Sequence, residues 1–201
     1  SKSFQRSPLP WGDELKLSAE RVALLHPQTQ RTRALSSAQE VMNRVKLDHF
    51  FERCTRWVIT DLNAYAESGL DELYELLRTS SMSVVARTLC VSLKGEALTP
   101  VLNALEVIDL AGARLLYSGQ GARPAWMPGS EQKRLKQAMH ELELIVRTHV
   151  RDRIGGLEAD DLMGRWVEVE GEDGKYATEN EVISESIALL IMAYTALPKM
   201  W

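Results

Sequence analysis

The stretch SEQKRLKQAMHELELIVRTHVRDR, residues 130–153, decides how this chain folds. Leu135, Met139, Leu142, Val146 and Val150 recur every three or four residues, the spacing that gathers side chains on one face of an α-helix. Ser130 stands one position ahead as an N-cap, and Gly155-Gly156 follows as a stop, so a long amphipathic helix is predicted over 131–153.

Downstream, residues 160–169 read as a short helix. The Asp160-Asp161 pair at its start resembles a diphosphate-magnesium motif, but a paired acid there is better read as a cap on the helix dipole. Gly171-Glu172-Asp173-Gly174 makes a tight turn, and Thr178-Glu179-Asn180-Glu181 has capping-box spacing ahead of an apolar helix over 182–196.

Upstream, Leu47, Phe50, Phe51, Cys54, Trp57, Val58, Leu62 and Tyr65 form a helical stripe that Ser68-Gly69 ends. Residues 70–77 and 82–91 are predicted as two helices joined at Thr79-Ser80-Ser81, and 98–117 as another opening at Thr99-Pro100. Residues 119–129 form an irregular loop with two prolines. Earlier still lie helices over 17–25 and 30–45, behind an extended lead-in at 1–16. Strand alternation and solenoid repeats are absent from the pattern. The expectation is all-α: one irregular helical bundle over 17–201.

Composition excludes some partners. Twenty-four Lys and Arg against 28 Asp and Glu give a net charge of -4, with no field to gather nucleic-acid phosphates or anionic lipid. The longest apolar run, 187–197, is shorter than the roughly 20 residues a membrane span needs, and a cytoplasmic location is expected. Cys54 and Cys90 lack metal or redox spacing and are expected as reduced core thiols. The four histidines, at 26, 49, 140 and 149, form no ligand pattern, and no nucleophile elbow or phosphate loop is present, so no metal site is expected.

A family resemblance rests on four features in order. They are Ala125-Trp126-Met127-Pro128, the capped helix ending in Arg147, Val150 and Arg153, then Asp160-Asp161-Leu162-Met163, then Glu172-Asp173-Gly174-Lys175 leading to Glu181-Val182. The run resembles helices G, H and the start of I in a bacterial soluble cytochrome P-450. Weaker similarity over 31–38 and 70–90 extends it to helices C, D and E.

The resemblance implies haem and monooxygenation of a small organic substrate in the complete protein. It aligns Met192 to Ala196 with the oxygen-activating Ala-Gly-x-Asp/Glu-Thr of helix I. There Thr195 would stand in for the alcohol, Ala193 would lie on the haem face, and the acid is missing. Arg33 aligns with an arginine that contacts a haem propionate, while Thr29 falls where that family has histidine.

By the resemblance, these 201 residues stop before the family's Glu-x-x-Arg helix and cysteine loop, so no haem is demonstrable from them and a fragment of a longer chain is expected. Three readings follow: part of a haem-thiolate oxidoreductase, a haem-less relative that binds and activates a partner enzyme, or an all-α ligand-binding regulator. Self-association through an exposed helix I surface, including Leu189, Leu190 and Ile191, is also expected.

Overall fold

A computed structural model describes residues 47–68, 73–117, 127, 130–157, 160–168 and 177–196. Among these lie six α-helices: α1 (Leu47–Ser68), α2 (Leu73–Leu89), α3 (Thr99–Tyr117), α4 (Glu131–Ile154), α5 (Leu162–Glu168) and α6 (Glu179–Ala196). No strand occurs among the described residues, and the all-α expectation holds. The lead-in at 1–16, the helices over 17–25 and 30–45, Arg33, and the turns at 119–126 and 171–174 lie outside the described residues.

Helix α4 follows its sequence pattern closely. Leu135, Leu142, Val146 and Val150 are buried, and the Ser130 hydroxyl accepts a hydrogen bond from the Lys133 amide at 3.3 Å. At the other end the Leu157 amide donates to the Asp152 carbonyl and the Gly156 amide to the Arg153 carbonyl. This closure requires a left-handed residue, which Gly156 provides at φ 91°.

Helix α3 packs along α4 as an antiparallel hairpin, burying Val101, Ala104, Leu105, Ile108 and Ala111. Helix α6 packs against α2, α3, α4 and α5, so it is buried on most sides: Val182, Ile183, Ile187, Leu190 and Tyr194 all join the core. Each such side chain contributes roughly 1.5–3 kcal/mol on burial, which explains why an apolar sequence without strong amphipathicity is stable here. The capping box forms as expected, the Glu181 amide donating to the Thr178 hydroxyl and the Thr178 amide to the Glu181 carboxylate.

Four expectations need correction. Helix α2 is continuous through Thr79-Ser80-Ser81, because Ser and Thr cost a helix only tenths of a kcal/mol. Burial of Met82, Ala86 and Leu89 outweighs that cost. Helix α5 begins at Leu162 rather than at 160, with Asp161 as its cap. Cys54 is half-buried rather than core, since α1 lies at the margin of the bundle, whereas Cys90 is fully buried. Leu190 is fully buried and Leu189 and Ile191 partly so, because α6 is wedged among four helices; Met192 is the exposed apolar residue of that stretch.

Candidate functional site

The sequence points to the C-terminal turns of α6. Thr195 keeps its hydroxyl within the helix, donating to the Ile191 carbonyl at 3.0 Å and sitting 3.2 Å from the Met192 carbonyl. Ala193 is half-buried and packs against the core. The helix runs unbroken through both residues to Ala196, so no backbone opening faces outward there. Arg33 lies outside the described residues.

Between the two residues that sequence singled out sits one that it overlooked. Tyr194 is buried, and its hydroxyl accepts a hydrogen bond from Arg78 Nη1 at 2.8 Å while the guanidinium lies 5.7 Å from the ring centroid. This contact ties α2 to α6 across 116 residues of sequence. No local pattern announces it, although an arginine facing the apolar side of α2 is the available hint.

One and two turns earlier on the same side of α6 lie Leu189 and Glu185, at the i, i+4 spacing that ends on Ala193. Burial, reinforced by the charge of Glu181, pushes the Glu185 carboxyl up to about 7. Glu185, Leu189, Met192 and Ala193 thus make a partly covered stripe with one carboxylic acid that holds its proton near neutrality.

A second concavity lies along the α3–α4 hairpin. It is a groove of about 330 Å³ with Val107, Leu110 and Ala111 on one side and Ala138 on the other. Arg114 and Arg134 stand at its rim, together with Glu131 and Glu141.

Neither cysteine offers a thiolate to an open face. Burial pushes the Cys54 thiol up, and Cys90 is enclosed with Ser92 Oγ at 3.0 Å and Arg153 Nη2 at 3.4 Å. His149, its basicity lowered by burial, places Nδ1 3.2 Å from that same Ser92 hydroxyl, as a structural histidine does. No group of three His, Cys, Asp or Glu side chains able to hold a metal occurs among the described residues. No helix among them is long and apolar enough to cross a membrane.

No family sequence profile and no curated protein matches this sequence. Solved structures do. Cyanobacterial CYP120A1 with retinoic acid bound aligns over 96% of this chain and 43% of its own, at 17% identity and a TM-score of 0.69. Cytochrome P-450 EX alpha (CYP152N1) with myristic acid aligns over 89% of this chain and 42% of its own, at 15% identity and a TM-score of 0.60. The chain therefore spans less than half the length of these relatives, and the fold it shares with them is that of the helical part of a cytochrome P-450.

Proposed function

We propose that this chain forms the substrate-covering helical part of a cytochrome P-450-type monooxygenase, and that in the complete protein a haem lies against the α6 stripe. The observation that carries the reading is the match over 96% of the chain at a TM-score of 0.69, with the α3–α4 hairpin laid across α6. When bound, a haem-thiolate supplies oxygen activation, which needs a cysteine sulfur on the iron. The described residues do not fit that duty: burial pushes the Cys54 thiol up at the margin of the bundle, and Cys90 is enclosed in the core.

What this chain's own residues contribute is a wall. Leu189, Met192 and Ala193 present an apolar surface, and Glu185 places one protonated carboxyl two turns from Ala193. The two relatives hold retinoic acid and myristic acid, both elongated apolar carboxylic acids, and a substrate of that class is the simplest guest for such a wall. The net charge of -4 supports a small molecule or a protein partner rather than nucleic acid.

One observation favours a second reading, a haem-less relative that activates a partner enzyme. Thr195 spends its hydroxyl on its own helix, and no acid precedes it at Tyr194. A carbon-monoxide difference spectrum after reduction separates the two. The expected result is a thiolate-type Soret band from the protein at its full natural length, and none from the 201 residues mixed with haemin. A protein at full natural length without that band would overturn the monooxygenase reading and leave the partner role.

A further inference from the structure

Away from α6, a recess of about 240 Å³ opens where α1, α2 and the turn leading into α3 meet. Its polar wall consists of Asp61, Thr79, Ser83, Arg87 and Thr99. Arg87 Nη2 donates to Asp61 Oδ1 at 3.0 Å, and both side chains are largely covered, at 14% and 11% exposure. Asp61 Oδ2 and Arg87 Nε nevertheless have no hydrogen-bond partner. Ser83, on the same wall, is 4% exposed.

Buried polar groups are normally satisfied, and each one left unpaired is destabilising. A concavity lined by two such groups, on Asp61 and Arg87, is therefore a place where a guest restores what the protein leaves open.

We propose that this recess binds a small neutral polyhydroxy solute, a polyol or sugar fragment. The wall is charge-balanced: an anion would compete with Asp61 for Arg87, and a cation would meet the Arg87 guanidinium. Thr79, Ser83 and Thr99 carry hydroxyls that both donate and accept, which a guest with hydroxyls of its own matches at each point. Leu98 and Leu102 line the remaining side and offer apolar contact to the carbon chain. Asp61 Oδ2 lacks a donor and Arg87 Nε lacks an acceptor, so one class of group, the hydroxyl, serves both once the side chains turn toward it. The volume suits a solute of about three to six carbons.

The test is a titration of the full 201-residue chain with xylitol, followed by amide NMR. Saturable shifts are expected at Thr79, Ser83, Arg87, Gly95 and Thr99, with a Kd of about 1–10 mM, as befits so small a ligand. Ser83→Val fills the space with methyl groups and is expected to weaken binding about tenfold or more. Ser83→Ala, which removes the hydroxyl but keeps the helix, is expected to weaken it about threefold and stands in if the valine variant fails to fold. Absence of saturation overturns the proposal, as do shifts unchanged in both variants. Tighter binding of inorganic phosphate or acetate than of xylitol would overturn the neutral-polyol assignment.

Discussion

Two aspartate–arginine pairs are largely buried in this bundle, and they are built to different standards. At the corner between α4 and α5, Asp161 is fully enclosed and receives Arg153 through Nε and Nη2, the Val91 amide at 3.1 Å and the Gly164 amide at 2.9 Å. Between α1 and α2, Asp61 receives only Arg87 Nη2 and leaves Oδ2 empty. A buried charge is tolerable when its remaining lone pairs are spoken for. The first pair meets that condition and acts as a knot joining three helices; the second falls short and borders a recess.

The largest effect is expected from breaking the knot. Asp161→Asn removes the charge that faces Arg153 and the cap on α5, leaving a guanidinium 2% exposed without its counter-ion. Removing one partner of such a pair costs about 3–5 kcal/mol. Urea unfolding should show the midpoint falling with the slope unchanged. A loss under 1 kcal/mol would mean that the corner is held by packing of Leu162 and Met163 instead.

The two pairs also differ in how far sequence announces them. The Asp160-Asp161 pair was readable as a cap, because capping is a local rule satisfied within three residues, although the start at Leu162 and the choice of Asp161 were not. That the same carboxylate meets Arg153 and the end of α2 was not readable, since Val91 lies 70 residues away and only tertiary packing brings it there. The long stripe of α4, its Ser130 cap, its Gly156 stop and the Thr178–Glu181 box were all readable for the same local reason.

Thr79-Ser80-Ser81 misled because weak helix formers look like a boundary until the burial of Met82 and Ala86 is known. In the candidate site, Thr195 and Ala193 were found by resemblance. Tyr194 with Arg78 and the protonated Glu185 were missed because their character comes from neighbours, not from spacing.

The open pair should behave differently when both its members are replaced. Asp61→Asn alone leaves Arg87 stacked 5.8 Å from the Trp57 centroid but without its carboxylate, a loss of about 1–3 kcal/mol. The double change Asp61→Leu with Arg87→Met removes the two unsatisfied atoms together, and its stability should return to within about 1 kcal/mol of the parent. A double-mutant cycle measured by thermal unfolding checks this. A double variant as unstable as the sum of its single changes would show that Asp61 and Arg87 are not coupled, and the contrast with Asp161 would then fail.

Glu185 shows a third way to bury a carboxyl, which is to keep the proton. The charge that acts on it is that of Glu181, an acid already committed to the capping box with Thr178. Burial and that negative neighbour both favour the neutral form, so the folded-state value of about 7 stands above the ordinary 4.5. The native state therefore binds more protons than the unfolded chain between those values. The associated stability is full below about 4.5 and is lost as pH rises through about 7. Glu185→Gln mimics the neutral acid at every pH. It should raise stability by about 1–2 kcal/mol at pH 8, after allowance for the partial exposure of the group, and change little at pH 4. Urea midpoints for the two proteins across that range should converge in acid and separate through neutrality. Parallel curves would place the carboxylate in contact with a donor, and Glu185 would then join Asp161 as a paired acid rather than a protonated one.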